Sequence, residues 1–165
     1  MFPIGIAGNF DRAVEDFAKA GKKDDQGAEK FAEGMEDIRQ GHADVSQGTK
    51  DISQGQADIR QGRAEVSQGR ADIAKSEHES GIAGFFDNLK GHAEIAEGRQ
   101  QIDKGHQEID KGHQEVNKGR HEISEGHQDI REARHDHAEA DQYRREGRQE
   151  IAEGFAKLSD PFGFL

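Results

Sequence analysis

The sequence predicts an all-α protein: a long antiparallel two-helix coiled-coil hairpin with a glycine-rich heptad seam. The first observation behind this is a repeat. Glycine recurs every seventh residue with an isoleucine or valine three residues before it, as in Ile38…Gly41, Val45…Gly48, Ile52…Gly55, Ile59…Gly62 and Val66…Gly69. The unit returns as Ile95…Gly98, Ile102…Gly105, Ile109…Gly112, Val116…Gly119 and Ile123…Gly126. Spacings of three and four that close on seven put both residue types on one helical stripe. The second observation is composition. Hydrophobic residues make up 31% of the 165 and charged residues 35%, with no Trp and a single Tyr. That suits a helix with a thin apolar stripe and is too little for a globular core. So sparse an apolar repeat cannot cover a sheet face either, which excludes strands. The third observation is a break in phase. Carried forward, the glycine row of the first array reaches position 83, whereas the second array uses Gly84.

The elements follow in order. Residues 1–9 are an apolar N-terminal segment carrying Phe2, Ile4 and Ile6. The first helical arm spans 10–79. With the Ile/Val row named a and the glycine row d, its a row reads Phe10, Phe17, Asp24, Phe31, Ile38 and onward to Ile73. Its d row opens Ala13, Ala20, Gly27, Gly34. The phase break falls in 80–87, where Gly81 suits a left-handed helix stop and Asp87 an N-cap, so the hairpin turn is placed there. The second arm spans 88–158; its a row ends Ile130, His137, Arg144, Ile151, Leu158 and its d row Ala133, Ala140, Gly147, Gly154. Residues 159–165 form an apolar C-terminal tail.

Such a turn sets Asp24 opposite the interval between His137 and Arg144. These three are the expected register residues, since a polar layer in an apolar seam fixes pairing. The remaining charges pose a conflict. An acid precedes nearly every repeat Ile or Val (Asp37, Asp44, Asp51, Asp58, Glu65; Glu94, Glu108, Glu115, Glu122), the g row. A base or histidine often follows the glycine (Arg63, Arg70; His92, Arg99, His106, His113, Arg120, His127), the e row. Acidic g with basic e rewards parallel pairing, whereas a hairpin sets acid against acid. Either chains also pair in parallel, or close glycine packing outweighs modest surface charge effects.

Several function classes drop out. A net charge of -11 disfavours nucleic acid as a partner, because phosphate repels an acidic rod. Cysteine is absent, which excludes disulfides and thiolate metal sites and leaves the redox compartment open. No stretch approaches the length of a membrane span. The opening Met1-Phe2-Pro3-Ile4-Gly5 lacks the basic and apolar regions of a Sec signal, so the expected location is cytoplasmic, or outside by another route. Histidines seven apart on a helix are separated by about 10 Å, too far to share an ion. The better metal candidates are His135 with Glu139 and His137 with Asp141. Those two pairs point to nearly opposite sides of the helix, and ordinary helix-surface ion pairing explains them. No metal or cofactor is expected. His121-Glu122-Ile123-Ser124-Glu125 lacks the second histidine of a zinc-protease motif. Gly21-Lys22 lacks the upstream glycine of a phosphate loop, with Asp16 in that place. No nucleophile–base arrangement stands out, and no enzyme is expected.

The apolar ends carry more information. Ile82, Phe85, Phe86 and Leu89 crowd the turn, while Phe2, Ile4 and Ile6 join Phe155, Leu158, Phe162, Phe164 and Leu165 at the termini. They either cap the seam against fraying or dock on a second copy, another protein or a membrane surface. The motif Gly-Ile-Ala-Gly-x-Phe-Asp occurs at 5–11 and again at 81–87, so each arm opens on the same apolar segment.

Over roughly residues 27–76 and 91–154 the Ile-x-x-Gly unit resembles the xxxLxxG heptad repeats of the phage infection protein family and related bacterial membrane proteins. Ile or Val stands here where that pattern has Leu. In those proteins the repeats form an extended extracellular coiled region between membrane helices, which have no counterpart in this chain. The resemblance implies a bacterial-type elongated coiled rod. The expected function is therefore that of a structural or interaction protein, self-associating, into filaments for example, or scaffolding another protein. The alternative is a peripheral membrane protein that inserts its Phe-rich tip or termini.

Overall fold

A computed structural model describes residues 4–78 and 81–159, with side chains from Ala7 onward. Two helices, α1 (Ile4–Ser76) and α2 (Ile82–Ser159), pack against each other as an all-α helical hairpin, with no strand among the described residues. By contacts the chain divides into two compact units: Gln40–Glu122, which holds the turn, and Met1–Arg39 with Ile123–Leu165.

α1 ends and α2 begins earlier than a turn at 80–87 requires. Glu77 N–H donates to the Ile73 carbonyl at 3.3 Å and His78 N–H to that of Lys75 at 3.0 Å, which ends α1. Gly81 takes φ +89°, the one positive φ among the described residues, and α2 starts at the next residue. Asp87 therefore lies inside α2 instead of capping it, and its carboxylate accepts a hydrogen bond from Lys75 Nζ at 2.8 Å. The physical reason is the seam: Gly84 is already buried in it, which holds the first turn of α2 helical. At the other end α1 begins at Ile4, so residues 4–9 of the expected N-terminal segment are its first turns.

In the unit Gln40–Glu122 the glycines of the two helices face each other. A Cβ on Gly55 would stand 2.4 Å from the Gly105 carbonyl oxygen, and one on Gly105 2.5 Å from that of Gly55. The same holds for Gly48 with Gly112, Gly62 with Gly98 and Gly69 with Gly91. The Cγ1 of Ile109 leans over the bare Gly55 backbone, 2.8 Å from where a Cβ would be. Side chains are absent so that backbones can touch, and the isoleucines fill what remains. The contact face is centred on the glycine row, with the Ile/Val row half-buried on one side and the acidic g row half-buried on the other. The e row is exposed, so it never meets the acids.

The acids are answered by a different row. Lys118, Lys111, Lys104 and Lys90, each just before a seam glycine of α2, reach across to Asp44 (2.7 Å), Asp51 (2.8 Å), Asp58 (3.0 Å) and Asp72 (2.5 Å) on α1. Each lysine also pairs within α2 with Glu122, Glu115, Glu108 or Glu94 at i+4. An ammonium thus sits between the two acidic rows that a hairpin brings together. Gln40, Gln47, Gln54 and Gln68 donate to the other oxygen of the same aspartates.

In the second unit Gly34 and Gly126 still meet as closely as the glycines above, and the seam widens only beyond them. Ala13, Ala20, Ala133 and Ala140 are buried where glycine stands elsewhere. The close approaches relax to 3.0 Å between a Gly27 Cβ and the Ala133 carbonyl, and 3.3 Å between a Gly147 Cβ and that of Ala13. The sense of the charge pairs also inverts. Here the lysines belong to α1, Lys23 meeting Glu139 at 2.6 Å and Lys30 meeting Glu132 at 3.3 Å.

Candidate docking surface

Repeat chemistry consumes most polar side chains, and the site is what it leaves over. Asp24 takes the a position of α1 where the repeat would put an aliphatic residue. Its Oδ1 lies 3.0 Å from His137 Nδ1, and its Oδ2 accepts from Arg144, which also donates to Asp141 at 2.8 Å. The three register residues are brought together, with His137 level with Asp24 and Arg144 reaching in from one heptad further along α2.

Of the four candidate metal ligands, His135 and Glu139 come together with Asp136, which the sequence reading missed. His137 is turned toward Asp24 and Asp141 toward Arg144. Asp136 is buried and is held by two ammonium groups, Lys23 at 2.9 Å and Lys30 at 3.0 Å. Hydrogen bonds from Lys23 and then Lys30 hold its carboxyl below the usual carboxylate range. Lys23 does the same for Glu139. The lysines bring their ammonium groups to this cluster, which makes it a rung of the charge ladder.

The apolar residues divide sharply. Ile82, Phe85, Phe86 and Leu89 are 77%, 67%, 61% and 58% exposed, at positions i, i+3, i+4 and i+7 of one helix face. Phe85 and Phe86 meet edge to face, their ring centroids 5.9 Å apart. None of the four takes part in the seam, which Gly84 and Gly91 supply on the opposite side of α2. In the other unit Phe155 packs edge to face on Phe10 at 5.5 Å while remaining largely exposed. Val14, Phe17, Phe31, Met35 and Leu158 are also exposed there. Phe17 and Phe31 stand in the a row, and Phe17 leans over Gly147, its Cε2 3.2 Å from where a Cβ would be. They and Val14 and Met35 lie toward the exposed edge because the true contact face is centred on d. The remaining docking candidates, Phe2, Phe162, Phe164 and Leu165, lie outside the described residues, as do the side chains of Ile4 and Ile6.

The repeated motif explains the contrast. In its first copy Asn9, and just beyond it Ala13, are buried against α2, with Asn9 Nδ2 donating to the Glu150 carbonyl at 3.5 Å. The matching positions in and just beyond the second copy, Phe85 and Leu89, point outward because the seam runs past them in a different phase. No helix among the described residues is long and apolar enough to cross a membrane. A scan against protein-family models, a search of curated proteins and a search of solved structures each returned no match.

Proposed function

We propose that this chain is a non-enzymatic structural or interaction protein, a coiled-coil hairpin that docks through apolar surface its own seam does not use. The observation that carries this is the stripe Ile82, Phe85, Phe86, Leu89. Two adjacent, largely exposed phenylalanines cost solubility, and exposed apolar clusters of this kind mark binding surfaces. Partners within this reading are a second copy or another protein; nucleic acid is disfavoured by the charge of -11. The Phe85–Phe86 pair also supports a second reading, insertion into the interfacial region of a membrane, where aromatic side chains partition well.

Vesicle flotation and light-scattering mass, run on wild type and on Phe85→Asp/Phe86→Asp, separate these. Docking on protein predicts no lipid-bound fraction for either chain, and circular dichroism unchanged by substitutions this exposed. Flotation of wild type that the double substitution abolishes would replace the first reading with the second.

A further inference from the structure

We infer that the stripe receives an amphipathic helix of a partner protein whose apolar face is bordered by carboxylates. The inference rests on the interaction reading above and names the partner's chemistry. Apolar anchors at i, i+3, i+4 and i+7 are the pattern by which helices seat on one another, and the two turns from Ile82 to Leu89 supply a full set.

The surroundings decide the charge. Residues just before a seam glycine lie on one edge of the hairpin, as the Lys90–Asp72 contact shows, so residues just after a glycine lie on the other. Phe85 follows Gly84 on that second edge, and His92 and Arg99 follow Gly91 and Gly98 in line with it. Across the seam Gly69 faces Gly91 and Gly62 faces Gly98, so Arg70 and Arg63 of α1 join the same edge. In the row just after the glycines neither helix has a carboxylate from His42 to Arg70 or from Phe85 to Arg120. Among the described residues none pairs with Arg63, Arg70, His92 or Arg99, whereas the acids nearby are held by lysines on the opposite edge. On the far flank of the stripe stands Lys90, 58% exposed along its side chain, its ammonium already held between Asp72 and Glu94. A chain of net charge -11 thus presents this apolar stripe beside a run of cations along one edge.

A second copy would bring the same cations to that edge, and like charges across an interface oppose pairing. A membrane surface matches less well, because two turns of apolar face are followed by Ala93 and Ala96 and give little depth of insertion. Carboxylates on a partner helix complement that edge directly, and would steer its approach.

The test uses the full chain as bait for a display library of helical peptides with Leu, Ile or Phe fixed at i, i+3, i+4 and i+7 and the bordering positions randomised. Asp and Glu should be enriched over Lys and Arg at the border. Selected peptides should weaken about 100-fold or more on Phe85→Asp/Phe86→Asp. They should weaken about 5-fold on Arg70→Glu/Arg99→Glu, both surface changes, with a steeper loss at low salt. Peptides selected without charge preference, or with Lys and Arg at the border, would overturn the acidic partner and leave docking intact. Binding indifferent to Phe85→Asp/Phe86→Asp would remove the site, and with it the reading on which the inference rests. A wild-type mass that doubles, and halves on the same substitution, would make the occupant a second copy and likewise overturn the inference.

Discussion

A glycine in a helix costs about 1 kcal/mol relative to alanine, so each one that persists needs a local reason, and the two kinds of glycine here differ in theirs. Gly21 lies in α1 with nothing within 4 Å of where a Cβ would be. Gly55 has the Gly105 carbonyl oxygen at 2.4 Å from that point. Gly21→Ala should therefore raise stability by about 1 kcal/mol through helix propensity alone. Gly55→Ala gains the same propensity but must push two backbones apart, and overpacking of that kind costs about 1–3 kcal/mol. Thermal melts of the two variants should move in opposite directions. A rise for Gly55→Ala would mean that the backbones do not touch, and the account of the seam would fail with it.

Between the helices, the lysine ladder is what makes antiparallel pairing compatible with two acidic rows. Its gaps are as informative as its rungs. At Glu97 the residue before the seam glycine is acidic, and it faces Glu65 across a shallow groove shared with Gln101 and Lys104. Glu97→Lys restores the cation that Lys90, Lys104, Lys111 and Lys118 supply in neighbouring heptads. The new pair is solvent-exposed, so the expected gain is modest, about 0.3–0.5 kcal/mol, and shrinks with added salt. Urea titration at low and high salt checks both size and screening. A gain that ignores salt, or a loss, would mean that the ladder does not act through charge.

For the molecule as a whole, the summed ladder sets a pH window. Hydrogen bonds from Lys118, Lys111 and Lys90 hold Asp44, Asp51 and Asp72 below the usual carboxylate range. A depressed carboxylate stabilises the fold above its unfolded value, near 4, and that contribution is lost as pH falls through the lower folded value. The lysines are raised by the same partners, Asp72 first for Lys90 and Asp44 first for Lys118. Their contribution is complete below the unfolded value, about 10.4, and is lost as pH rises through the folded one. The melting temperature should be flat with respect to these groups between about pH 5 and 10 and fall on either side. A melt independent of pH below 4 would show the rungs to be energetically idle. Helix content, the hairpin, the left-handed Gly81 and the Asp24, His137 and Arg144 layer were all legible in the sequence. Each is written in local spacing or in a single break of a strict repeat. The lysine rungs were not legible, because pairing a residue before glycine on one helix with an acid on the other requires knowing which face is in contact. The phase of the tip was hidden for the same reason: Gly-Ile-Ala-Gly-x-Phe-Asp reads identically at 5–11 and 81–87. The heptad by itself determined that there are two helices and that the break between them falls near Gly81. Only their packing decided that the glycines meet backbone to backbone, which rotated the isoleucines half out of the seam and left Phe85 and Phe86 facing water.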